Sequence, residues 1–139
     1  MGRRNESIEA RFLANAGESA SRVHILGARF DVPRLLLGSD VFLLPSISEG
    51  LPTVVLEARA AGLPAVVSNL TGNLEIARHL DRVVCLDPTE TDRWVEAVRD
   101  AVQLGPEDHR GTGNPLRQTV FDAMVSAEAH ADLWRRSVQ

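Results

Sequence analysis

Between Val41 and Ser68 the chain passes from a short apolar run, through a polar loop, into a helix and out to a second apolar run, and this order leaves few folds open. Val41-Phe42-Leu43-Leu44 closes at Pro45 and Ala65-Val66-Val67 closes at Ser68, the pattern of strands buried on both faces of a parallel sheet. Parallel neighbours need a crossover, and the stretch between supplies one. Gly50 permits a tight turn, Pro52 suits the first helical position, and a helix is predicted from Pro52 to Ala61, with Gly62 as its stop and Pro64 beyond.

Two glutamates bracket the start of that helix. Glu49 lies in the loop after the first strand and Glu57 eight positions later, about 12 Å along the axis if all of it were helical. The backbone amides near Gly50, Leu51, Thr53 and Val54 are expected to face the space above the sheet, with the positive end of the helix dipole behind them, which is a place for an anion. Carboxylates serve phosphates poorly and sugar hydroxyls well. Two of them beside an anion site therefore point to a ligand that is both phosphate and polyol, such as a nucleotide-sugar.

Other chemistries find less support. A net charge of −4 gives no general electrostatic reason to bind nucleic acid, and all 15 basic residues are Arg, which removes lysine chemistry. The single Cys85 excludes an internal disulfide, fits a reducing compartment and, within Val83-Val84-Cys85-Leu86, reads as a core residue. His24, His79, His109 and His130 lack ligand spacing with one another, so no metal site is expected. Ser46 and Ser48 resemble no nucleophile elbow. No apolar stretch approaches the roughly 18 residues that span a bilayer, and no signal-peptide pattern follows Met1.

At 139 residues, 44% of them hydrophobic, the chain is read as one domain, 1–139, able to bury close to two thirds of its unfolded surface. Ile8, Phe12, Leu13 and Ala16 mark one face of a helix from about Glu6 to Ala20. Strands are expected near 22–27, 41–45, 65–69 and 82–87, with a helical turn at Arg34–Gly38, a short helix over Leu74–Leu80 and loop residues at Asn69, Thr71, Gly72 and Asn73. Asp87-Pro88-Thr89-Glu90 has the form of a helix start, after which Trp94, Ala97, Val98, Ala101 and Val102 share a face. A linker-like stretch covers Gly105 to Gly113, and a last helix is predicted from Asn114-Pro115, with Leu116, Val120, Met124, Ala127, Ala131 and Trp134 as its stripe. Strands alternating with helices imply an α/β fold with a doubly wound parallel sheet of about four strands.

The segment S-x-S-E-G-L-P-x-x-x-L-E-A-x-A-A-G-x-P-x-V resembles the signature of the retaining, GT-B type glycosyltransferases of family 4, the glycosyl transferases group 1. V-x-I-L-G-x-x-x-D-V-P-x-L-L, D-V-F-L-L-P-S and F-D-x-x-x-S-A-E-x-H-x-x-L-W-R resemble family segments in the same order. The resemblance implies a Rossmann-like, nucleotide-sugar-binding C-terminal half. It places Glu49 at the catalytic site against the donor sugar's hydroxyls, the amides of Gly50, Leu51, Pro52-linked Thr53 and Val54 at the diphosphate, Glu57 on the ribose, and Gly27 and Arg29 along the base.

Two family features lie outside the resemblance: the preceding acceptor domain, and an opening strand with a Gly-Arg…Lys phosphate clamp. Gly2-Arg3-Arg4 coincides with a glycine loop within the family domain, so the chain is expected to begin inside that domain and to be N-terminally incomplete. The resemblance implies transfer of a hexosyl group to a sugar or lipid acceptor, with a nucleotide-diphosphate-sugar donor and neither cofactor nor metal. It also implies a cytoplasmic location with at most peripheral membrane contact. The alternative is a non-catalytic or truncated sugar-nucleotide-binding module that docks a separate acceptor-domain polypeptide, or a homo-oligomer.

Overall fold

The computed structural model describes residues 3–107, 114–125 and 127–128, and divides into two compact units, Met1–Asp31 and Val32–Gln139. In the first, helix α1 (Arg3–Ala16) passes at Gly17, φ +54°, into a 3-10 helix over Gly17–Arg22. The run at 22–27, expected as a strand, forms none: His24, Ile25 and Leu26 are exposed and no strand pairs with them among the described residues. β propensity becomes a strand only where a ladder partner takes up the backbone N–H and C=O groups.

The second unit holds helix α2 (Val32–Leu37), strand β1 (Phe42–Leu44), helix α3 (Thr53–Ala60), strand β2 (Ala65–Ser68), helix α4 (Thr71–His79), strand β3 (Val83–Leu86) and helix α5 (Thr91–Leu104). The strands form one parallel sheet in the order β1-β2-β3, three of the four expected. Phe42 lies beside Ala65, and Ala65 beside Val83. Every residue of β2 is buried, because the two faces of the sheet are covered separately. Ala65 and Val67 pack with Val55 of α3 and with Ile76 and Leu80 of α4 and its exit. On the opposite face Val66 and Leu86 meet Trp94, Ala97, Val98 and Ala101 of α5. Each fully buried Val or Ile on these faces contributes about 1.5–3 kcal/mol. This three-layer arrangement is the doubly wound class expected.

Helix α3 ends as its sequence demands. Gly62 takes φ +87°, its N–H donates to the Arg59 carbonyl and the Leu63 N–H donates to the Ala58 carbonyl, each at 3.0 Å, a Schellman closure with Leu63 packed on Ala58 and on Leu36 of α2. At its other end Pro52 is the cap, in extended conformation, and Thr53 opens the helix. The helix at Asp87 also starts later than expected. Asp87 accepts bonds from the Thr89 amide and hydroxyl, an Asx turn, so α5 begins at Thr91. The last helix is likewise interrupted: turns follow Asn114, Leu116 and Phe121 pack on the α3/α4 side of the sheet, and among the described residues helix is regained at 123–125 and 127–128. His109, His130, Ala131 and Trp134 lie outside the described residues.

One charged side chain is built into the interior. Arg59, with no exposed surface, donates to the Leu63 carbonyl at 2.8 Å, to Asp81 at 3.1 Å and to Glu107 at 3.1 Å. The Glu107 amide in turn donates to the Gly62 carbonyl at 2.8 Å. The guanidinium thereby ties the exit of α3 to the turn before β3 and to the chain after α5, and it completes the negative end of the helix.

Two stability tests follow from these contacts. Replacing Asp81 by Asn or Glu107 by Gln alone should cost about 1 kcal/mol, since the other carboxylate remains. The double variant strands a buried cation and should cost about 3 kcal/mol in urea unfolding. The second test concerns pH. Bonds from the Met124 and Gln118 amides hold the Asp122 carboxyl below its ordinary value, as the Thr89 hydroxyl and amide do for Asp87. A depressed carboxyl stabilises the fold above its unfolded value, about 3.9, and that contribution is lost as pH falls through the folded value. Asp122→Asn should therefore lower Tm at pH 7, with the difference from wild type vanishing in acid.

Candidate functional site

Strand β1 delivers the chain to the carboxyl edge of the sheet, where Pro45 ends the ladder and residues 45–52 cross to α3. Ligands of open α/β sheets bind at this edge. Within the loop the Ser46 hydroxyl donates to Glu49 Oε1 at 2.7 Å, so the carboxylate is held by a residue three positions before it. Glu49 is exposed, as are Gly50 and Leu51, while Pro52 is buried beneath them. No side chain caps α3 at Pro52, which leaves the amide end of the helix facing the loop.

Glu57 lies in the second turn of α3. Only the four steps from Thr53 to Glu57 are helical, about 6 Å of rise. Its side chain is exposed and lines a cavity of about 280 Å³ with Pro33, Leu36 and Leu37 of α2, Ala60 of α3 and Ala61 just past its end. An apolar wall with one carboxylate at its edge suits a flat ring bearing hydroxyl groups. Gly50 to Val54 thus lie between the two acids along one loop and the helix it feeds. Gly27, φ +65°, and Arg29, paired with Asp31 at 2.6 Å, belong to the first unit. The Arg29–Asp31 bond raises the arginine's pKa and lowers the aspartate's.

Glycine's backbone freedom is not what Gly50 contributes: its φ is not positive and a Cβ there would meet nothing within 4 Å. The glycine with a steric duty is Gly72, where an added Cβ would overlap the Gly50 carbonyl. Thr71, Gly72 and Asn73, expected as loop, are the first turn of α4, and that turn abuts the loop carrying Glu49. Asn73, fully buried, donates to the Ser68 carbonyl at 2.8 Å, and the Ser68 hydroxyl donates to the Leu44 carbonyl at 3.4 Å. Ser46 and Gly72 were not singled out by the sequence. For Ser46 the S-x-x-E spacing carried a signal, but for Gly72 the partner is 22 residues away and no local pattern reveals it.

The described residues contain no group of three or more His, Cys, Asp or Glu able to hold a metal, and no helix among them is long and apolar enough to cross a membrane. Cys85 is half-buried, and burial pushes its thiol pKa up, which suits packing better than nucleophilic attack.

Comparison with known proteins places the chain in a family. The family model described as glycosyl transferases group 1 matches residues 1–114. The chain is 39% identical over 77 residues to the UDP-Gal:alpha-D-GlcNAc-diphosphoundecaprenol alpha-1,3-galactosyltransferase of Escherichia coli, covering 55% of this chain and 20% of that protein. It is 49% identical over 57 residues to the N,N'-diacetylbacillosaminyl-diphospho-undecaprenol alpha-1,3-N-acetylgalactosaminyltransferase of Campylobacter jejuni, covering 41% and 15%. It is 30% identical over 121 residues to the putative glycosyltransferase EpsF of Bacillus subtilis, covering 86% of this chain and 31% of that one. The chain therefore spans less than a third of the length of these relatives, and no solved structure is significantly similar to it. With a family match extending over most of its residues, the chain belongs to the glycosyl transferases group 1.

Proposed function

We propose that this chain is the donor-binding half of a retaining glycosyltransferase, taking a nucleoside-diphosphate-hexose whose sugar is transferred to a sugar or lipid-linked acceptor. The observation that carries the reading is the uncapped amino end of α3 set between Glu49 in the loop before it and Glu57 in its second turn. The diphosphate lies against the amides of Gly50 to Val54, where the helix dipole and N–H groups receive charge as the anomeric C–O bond breaks. Glu49, oriented by Ser46, accepts from the sugar hydroxyls. Glu57 accepts from the ribose, with the base against the apolar wall of α2 and α3. The lipid-diphosphate acceptors in two relatives' names support the acceptor class.

Magnitudes set the expected affinity. A helix terminus contributes about 1–2 kcal/mol toward an anion and each hydrogen bond about 1 kcal/mol, so the sites named above sum to about 5 kcal/mol. Micromolar affinity requires about 8 kcal/mol. Titration with UDP-, GDP- and ADP-sugars, followed by calorimetry or NMR, should give a dissociation constant of order 0.1–1 mM. Glu49→Gln should abolish the advantage of the sugar nucleotide over its nucleoside diphosphate, whereas Glu57→Gln should weaken both by about tenfold. Binding indifferent to both substitutions would remove the reading, and a sub-micromolar constant would refute the energy accounting.

A second reading has its own observation. Val120 and Met124 are 52% and 69% exposed beside a segment whose Leu116 and Phe121 are packed on the core, leaving apolar surface for a separate acceptor-domain polypeptide or another copy. Light scattering should give a mass above that of one chain, and Met124→Glu should return it to the monomer value. A monomer at all concentrations would count against docking between copies of this chain, and leave a separate polypeptide to pull-down with an acceptor domain.

A further inference from the structure

We infer that Gly72 and Asn73, in the first turn of α4, are positioning residues for the loop that presents Glu49. Gly72 lies so close to that loop that a single added carbon would overlap the Gly50 carbonyl and come within 3.1 Å of the Leu51 Cα. Gly72 is helical and its φ is not positive, so nothing in its own conformation calls for glycine. What calls for it is the backbone of the loop lying against it.

The contact is made at a fixed height. Asn73 donates from its buried amide to the carbonyl of Ser68, the last residue of β2, which holds the first turn of α4 down on the carboxyl edge of the sheet. Ile76, one turn on, is fully buried against the α3/α4 face and prevents the helix from sliding outward. Ser68 reaches across to the carbonyl of Leu44, from which the loop departs. The loop is thus fixed at its root by β2, at its exit by buried Pro52, and in its middle by Gly72. An exposed loop with Glu49 at its centre acquires a floor. A displacement of about 1 Å in such a group is enough to lose much of its contribution to binding or catalysis.

The consequence for donor binding rests on the function proposed above, but the consequence for the loop does not, and the two are measured separately. In NMR spectra of the ligand-free full chain, Gly72→Ala should move the amide resonances of residues 46–53 more than any others outside the first turn of α4. Val66→Ala, on the sheet face covered by α5, is the comparison: it should lower Tm as well yet leave those resonances in place. In titrations with UDP-, GDP- and ADP-hexoses, Gly72→Ala should weaken whichever donor binds wild type by about tenfold, while Val66→Ala leaves the constant unchanged. If Gly72→Ala does not fold, Asn73→Ala adds no atoms, removes the bond to Ser68, and should disturb the same loop amides. Unaltered loop resonances in the folded variant, or equal effects from Val66→Ala, would overturn the inference. Perturbed loop resonances in a chain that binds none of the donors would uphold it and refute the donor reading instead.

Discussion

The structure depends on one strand having neighbours everywhere. β2 is paired on both edges and covered on both faces, so Ala65, Val66, Val67 and Ser68 are all buried. A parallel strand in that position cannot be entered or left by a hairpin. Its connections must be helices, and the helices must begin at the carboxyl edge and end at the amino edge. The amino ends of α3 and α4 therefore lie on the same side of the sheet, with the loop of residues 45–52 between them. That two helix amino ends meet at this edge is a property of the winding before it is a property of any side chain.

Arg59 shows how the other end of the same arrangement is secured. Carboxyl ends of helices carry partial negative charge, and α3 ends next to the interior. A guanidinium with no solvent contact lies there, bound to one carbonyl and to two carboxylates that are themselves reachable by water, Asp81 and Glu107. Desolvation of the cation is offset by partners whose charges remain hydrated, a cheaper arrangement than a pair buried on both sides. With its exit fixed in this way, α3 presents a defined amino end.

What could be read in the sequence was what local chemistry decides. Pro45, Gly62 and Pro64 bound β1, α3 and β2 because ring closure and left-handed φ act within one or two residues. Of the eight steps from Glu49 to Glu57 only the four from Thr53 are helical, the others being loop. What failed depended on distant partners or on a choice between two local bonds. The run at 22–27 has strand composition without a ladder; Asp87 had two uses and its bonds to Thr89 took precedence over a cap; and the glycine that matters sterically turned out to be Gly72 and not Gly50. Arg59 occupies an unremarked position of the motif, yet its carboxylate partners are 22 and 48 residues away.

The sheet's outer strands have a bearing on how such a chain behaves in company. β1 has three residues before Pro45 and β3 four before Asp87-Pro88, so either border offers only a few backbone groups to a passing strand, and the next residue but one or sooner cannot donate. Brevity and proline together make each border, among the described residues, a poor template for fibrillar growth.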